Sequence, residues 1–410
     1  MNPNTILIRD IELMTMLVGA AFVLVLAVGP FLGFRAYARR VEAMDEPIED
    51  RLHRLNRVQQ VGGFGLPVVA VLVGYTLGLI DRSTAAVETG GVELFGIAIL
   101  EFAVLILVIF GIVTVPIVSM ALGTYPAVRS LRETSASMWR VAKGVLTVMA
   151  VAVGSAMIGV GGFLAVISVV GSSTLVLVAT LGAIVFASFG LSPYLIVVFR
   201  DRVPLEGQRR ERVERLCTEL GYRPRGLFVL EGESTKTANA LVAGTVPGLR
   251  YVFLTDYLLA ECDDDELRAI LAHEFGHVAG RHLWQRGLLT VAVFGAWILV
   301  VQRFGLGGLE ERYGFVGFFV PFMALYALYH VVLLGGLARW QEFRADAYAA
   351  REAGREAISK ALETLADAND TRREAGLLYS LATQHPPIAD RIDALRGDSE
   401  GEGVRATPSD

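Results

Sequence analysis

Cysteine is nearly missing from this chain, with only Cys217 and Cys262 among 410 residues. The two lie far apart, without a CxxC or a Cys/His ligand spacing, which excludes a disulfide framework or a cysteine-rich zinc module and fits a reducing compartment. Charge is scarce as well, at 19% of residues with a net charge of -5. Basic residues sit beside apolar segments instead of forming a patch, so no nucleic-acid partner is expected. Apolar residues are what the chain has in excess: 53% of the sequence, with a mean hydropathy of +0.51. That is too apolar for a soluble protein of this length, and the first partner to expect is the lipid bilayer. The run after Asp10 continues to Phe34 without a small-residue cleavage pattern and then meets arginines. It reads as an anchor and not as a cleaved signal.

A hydrocarbon layer about 30 Å thick needs roughly 20 apolar residues of helix, because backbone polar groups in lipid must be satisfied within the segment. Such segments fall near 12–34, 61–80, 94–122, 144–170 and 173–199, with two more near 287–304 and 315–337. The first loop carries Arg35, Arg39, Arg40, Arg51, Arg54 and Arg57; the third carries Arg129, Arg132, Arg140 and Lys143. Basic loops are retained in the cytoplasm, so alternation puts residues 200–286 and the tail from Arg339 onward on that same side. Two separated hydrophilic segments can then combine into one cytoplasmic domain.

Within the first segment, 206–220 reads as an exposed helix with Val213, Leu216 and Leu220 on one face, closed by Gly221. "GLFVLE", "ANALVA" and "RYVFLT" read as short strands of a small sheet. At 263–266, "DDDE" offers Asp263 as a helix N-cap with Glu266 three residues on, a helix start more than a calcium site. That helix is expected to run through Trp284. After the last span, "ARWQEFRADAYAAREAG" and "REAISKALETLADAND" read as two further helices, and 397–410 as a polar, disordered tail.

Three of the six histidines fall within ten positions, in "LAHEFGHVAGRHLW". His273 and His277 are four apart, so on a helix their rings leave the same face, about 40° apart. This is the HExxH spacing: two imidazoles hold zinc and the intervening Glu274 reaches the water that attacks a peptide carbonyl. A third ligand is needed. His282 would stand about 180° around a continuing helix from His273 and cannot easily join the same metal. Glu342, in "WQEFRAD" directly after the last span, is the better candidate. Asp346 follows one turn later, where a carboxylate can accept the second ring N–H of a ligand histidine. Two histidines and one glutamate leave an open coordination position, as a catalytic zinc requires.

"ILAHEFGHVAGRH", two apolar segments and then "EFRADAYA" resemble the integral-membrane zinc proteases that include HtpX-type proteases and type I CAAX prenyl endopeptidases. "TANALVAG" looks like the Asn-Ala edge strand along which that family holds substrate backbone, and "QHPPIADRI" like its His-Pro segment. The resemblance covers roughly 205–396. It implies one zinc per chain on His273, His277 and Glu342, Glu274 as general base and Asp346 as support. It also implies Asn239 at the substrate strand, His385 as a donor to the oxyanion, and Arg391 near substrate or paired with an acid. Five spans before the zinc helix and two after match the CAAX enzymes, whereas the short motifs sit closer to the HtpX style. Substrates therefore stay open between misfolded membrane proteins and lipidated carboxy termini.

The expected architecture is a mainly α polytopic membrane protein with about seven transmembrane helices and a cytoplasmic zincin-like α+β catalytic domain. Residues 1–200 are its membrane region, 201–286 and 339–396 the two parts of the protease domain, and 287–338 the last two spans. The expected activity is zinc-dependent endopeptidase action on polypeptide substrates at the cytoplasmic face of the cell membrane. A noncatalytic adaptor or transporter with a vestigial zinc site is the rival reading. Glu101 and His330, ionisable groups at membrane depth, read as interhelical pairing residues outside the catalytic set.

Overall fold

The computed structural model describes residues 3–80, 93–94, 97–199, 202–244, 246, 248–371 and 385–403. Among these, seven helices are long and apolar enough to cross a bilayer: Leu17–Glu42, Ile48–Thr76, Ala103–Arg132, Met138–Val170, Thr174–Leu191, His282–Phe304 and Val316–Ala353. The protein is a multi-pass membrane protein, and the helices run past several of the expected apolar stretches. The chain forms two compact units, residues 1–180 and 181–410.

The first unit holds α1 (Pro3–Glu42), α2 (Ile48–Thr76), a hairpin of β1 (Glu93–Leu94) and β2 (Ile97–Ala98), α3 (Ile99–Arg132) and α4 (Met138–Val170). Small residues let its helices touch. A Cβ on Gly123 would meet the Phe31 backbone oxygen at 2.6 Å, and one on Gly74 would press on Ile112 and Phe22. Ala38, Val41, Leu55 and Ala127 form a buried cluster there. The side chain of Glu101 lies outside the described residues.

α5 (Thr174–Phe199) leads into the second unit, where β3 (Val203–Pro204) precedes α6 (Gly207–Glu219). As the spacing predicts, α6 buries Val213 and Leu216, with Leu220 at its end and Gly221 at φ 77°. β4 (Gly226–Leu230), β5 (Ala240–Ala243) and β6 (Tyr251–Thr255) complete a four-stranded sheet in the order β3-β4-β6-β5. β4 pairs parallel with β6, and β5 antiparallel with β6, so β5 is an edge. The short α7 (Asp256–Glu261) is followed by α8 (Asp264–Ala279), which opens on a complete capping box between Asp263 and Glu266.

The helix expected to reach Trp284 ends at Ala279. Arg281 adopts left-handed geometry (φ 53°, ψ 36°) and α9 starts afresh at His282, running to Phe304. After the short α10 (Leu309–Tyr313), α11 (Phe315–Ala327) passes through a π-helical stretch, Leu328–Leu334, into α12 (Gly335–Ala353). The last apolar span and the segment with Glu342 and Asp346 are thus one continuous helical run. His330 lies in the π-helical stretch, stacked on Tyr326. α13 (Arg355–Ala368) and α14 (Ile388–Gly403) finish the unit. The latter extends into the stretch expected as a disordered tail, of which 404–410 lie outside the described residues.

α8 and α12 cross where both carry small residues. A Cβ on Gly276 would stand 3.1 Å from Ala345 Cα and 3.2 Å from its carbonyl oxygen. Gly276→Val is therefore expected to force the helices apart, at an overpacking cost of about 1–3 kcal/mol. A fall in Tm of the purified protein with reduced metal retention is the expected outcome; an unchanged Tm would refute this close-approach reading.

Candidate metal centre

α8 presents His273 and His277 one turn apart, and α12 brings Glu342 to them. Their Nε2 atoms are 3.2 Å apart; Glu342 Oε2 is 3.6 Å from His273 Nε2, and Oε1 is 3.4 Å from His277 Nε2. Among the described residues this is the one group of His, Cys, Asp and Glu donors found close enough to share a cation. A tetrahedral ion bonded at about 2.0–2.1 Å spaces its ligand atoms about 3.3 Å apart, so the observed spacing fits such an ion. The rings stand nearly perpendicular, at 80°, which aims both Nε2 atoms at one point from different directions.

The other ring nitrogens are both occupied. His273 Nδ1 lies 2.8 Å from Asp346 Oδ1, and His277 Nδ1 lies 2.8 Å from His282 Nδ1. Burial, the largest single influence, lowers the pKa of His273, but the bond to Asp346 together with the negative charges of Asp346 and Glu342 outweighs it and the net shift is upward. A proton and a cation therefore compete for this ring.

Of the two roles left open for Arg391, near substrate or paired with an acid, the geometry displays the pairing. Arg391 is 8% exposed, and it donates through Nε and Nη2 to the two Asp346 oxygens at 2.7 and 2.6 Å. Its Nη1 is 3.5 Å from Glu342 Oε2. The guanidinium is thus turned against two carboxylates that are each 2% exposed. His385 is exposed, with Nδ1 3.1 Å from Glu342 Oε2, so it stands at the rim of the donor cluster.

Glu274 lies between the two histidines, half-buried. Burial raises its carboxyl pKa above the usual range, while His273, His277 and the nearby Val242 backbone N–H oppose that shift. Asn239 is exposed at the head of β5; its carbonyl accepts from Thr255 N–H at 3.0 Å. In an antiparallel ladder inward and outward groups alternate, so Ala240 and Val242 turn their backbone groups to the open edge. Both cysteines are buried, and burial pushes each thiol up to about 12, which removes thiolate chemistry from consideration.

Sequence reasoning set His282 aside and did not consider Gln341. Both adjoin the donor cluster, because the helix breaks at Arg281 and His282 folds back toward His277. Gly280 was the available signal of that break, since glycine ends helices far more readily than it continues them.

Comparisons with known proteins agree on what this arrangement resembles. A sequence profile of peptidase family M48 matches residues 205–399. Protease HtpX of Pseudomonas entomophila (strain L48) is 31% identical over 224 residues, 49% of this chain and 74% of that protein. A CAAX prenyl protease 1 homolog of Arabidopsis thaliana is 30% identical over 222 residues, 51% of this chain and 52% of that protein. The chain thus spans about half the length of the prenyl protease homologs it matches. The crystal structure of S. mikatae Ste24p aligns with a TM-score of 0.64 at 17% identity, covering 91% of this chain and 99% of that one. At that identity the likeness is one of fold.

Removing Arg391 would strand two buried carboxylates. Arg391→Met is expected to cost about 3–5 kcal/mol, and Arg391→Lys to recover only part because an ammonium lacks the two-pronged fork. Thermal unfolding of the two variants in detergent checks this; a wild-type Tm for Arg391→Met would remove the pairing from the stability argument.

Proposed function

This chain belongs to peptidase family M48, and from that premise we propose that it is a membrane-embedded zinc-dependent endopeptidase acting at the cytoplasmic face. The observation that carries the reading is the convergence of His273, His277 and Glu342 within 4.8 Å, one turn of α8 around Glu274, beside an open sheet edge. We assign these three residues to one zinc ion per chain. Zinc in such an open site supplies Lewis acidity, polarising a peptide carbonyl and acidifying water.

The protein's own groups do the rest. A polypeptide substrate adds as a strand to β5, pairing with the outward groups of Ala240 and Val242 and extending past Asn239. Glu274, held near the Val242 N–H, takes the proton of the attacking water and passes it to the leaving amine. Its raised pKa suits both transfers. His385, at the rim, is positioned to donate where negative charge develops on the carbonyl oxygen. Asp346 fixes the ring of His273, and Arg391 neutralises Asp346.

The arginine-rich loops between early spans support the cytoplasmic sidedness. A reporter fused after residue 410 that is active only outside the cell would overturn it. Relatives carry two names, HtpX and CAAX prenyl protease 1, so substrate class is a matter of direct comparison. An intact Glu274 beside three convergent donors argues against a noncatalytic adaptor.

Glu274→Gln is expected to lower cleavage by about 10²–10⁴-fold with metal content retained, and a chelator to abolish wild-type cleavage reversibly. The assay pairs an unfolded membrane protein with a prenylated peptide. Full cleavage of either by Glu274→Gln would remove the mechanism, and wild-type inertness toward both with no bound metal would favour the adaptor.

A further inference from the structure

The turn between α8 and α9 is built around one ring. Gly280 lacks a Cβ where one would collide with Nε2 and Cδ2 of His282, so the imidazole lies over the bare Cα of that glycine. Arg281 takes the left-handed conformation that an arginine adopts only at a cost. His282 is 4% exposed, and its Nδ1 sits 2.8 Å from Nδ1 of His277.

A buried polar network holds that turn to the neighbouring helix. Gln341, 0% exposed, donates through Nε2 to the His282 carbonyl at 3.1 Å and to Gln285 Oε1 at 2.9 Å. Gln341 Oε1 accepts from Arg286 Nε at 2.8 Å, and Gln285 Nε2 donates to the Gly280 carbonyl at 3.0 Å. The amide of Gln341 thus has each end satisfied, which is what makes a buried network specify one geometry. Gln341 directly precedes Glu342, so the same network ties the turn to the chain that carries the third donor.

Two imidazole nitrogens at hydrogen-bond distance share one proton. Nε2 of His277 faces the donor cluster and must be proton-free to ligate, so a neutral His277 carries its proton on Nδ1. His282 Nδ1 then accepts it, and the proton of His282 rests on Nε2. We propose that His282 is a positioning residue that fixes the tautomer and ring plane of His277 for metal binding, held in place by Gly280, Arg281 and Gln341. This rests on the reading of His277 as a ligand. The two ligand histidines are then oriented unequally, His273 by an anion and His277 by a neutral ring.

The test is zinc affinity of the full chain in detergent, by chelator competition, alongside the Tm of the metal-free protein. Asparagine places its amide oxygen near the position of Nδ1, whereas glutamine reaches toward that of Nε2. His282→Asn is expected to bind zinc within a few-fold of wild type, and His282→Gln and His282→Ala about 10–100-fold more weakly. Gly280→Ala, which displaces the ring, is expected to weaken binding in the same way. Wild-type zinc affinity in both His282→Ala and His282→Gln overturns the proposal, as does a lowered metal-free Tm without any change in affinity. His277→Ala is the separate control: zinc binding indifferent to it would instead overturn the assignment of the site.

Discussion

Two carboxylates one helical turn apart, Glu342 and Asp346, are each 2% exposed at the end of a membrane-spanning helical run. Carboxylates so placed repel one another and lose their hydration, so the fold is possible only if cations and donors meet them there. Arg391, from α14, supplies a permanent positive charge to both; the histidines of α8 face them from the other side. Three segments far apart in sequence must therefore come together, and the architecture of the second unit follows from that requirement. A metal ion at the donor cluster would complete the neutralisation, which makes the metal part of the electrostatic balance as well as of the chemistry.

Short side chains can meet only if backbones come close. The inner face of α12 alternates Ala338, Ala345 and Ala349 with Gln341, Glu342 and Asp346, and all six are buried. Against it, α8 places Ala269, Ala272 and Gly276. Small residues draw the helix axes together, and the polar ones then span the gap at 2.8–3.6 Å. This face is polar at its centre, yet it is ordered because each charged or amide group on it has a stated partner.

What could be read from the sequence follows from how local each cause is. The four-residue interval of His273 and His277 is a property of one helix, and the capping box at Asp263 lies within four residues, so both were visible in advance. The proximity of Glu342 was legible through a different route, since the count of apolar spans puts its segment on the side of the histidines. The break at Arg281 was marked only by the preceding Gly280, because arginine rarely adopts left-handed geometry, and the fold of α12 over the turn is what holds that conformation. Pairing with an acid was one of the roles open to Arg391, but which acids it meets was hidden, because a cation near a carboxylate in space leaves no mark in spacing. The spans themselves were legible as apolar stretches, but their ends were not: hydropathy marks where lipid begins and not where a helix stops.

The edge strand connects these themes to the proposed chemistry. On β5 the pairing with β6 consumes the backbone groups of Asn239 and leaves those of Ala240 and Val242 outward. The outward Val242 N–H lies close enough to Glu274, the residue proposed as general base, to lower its carboxyl pKa. A substrate strand docking on this edge would engage that same N–H, so substrate backbone and base would meet at one point of the strand. The register of β5 against β6 would then set which substrate peptide faces Glu274. A one-residue slip would turn the Val242 N–H into the sheet and away from the base.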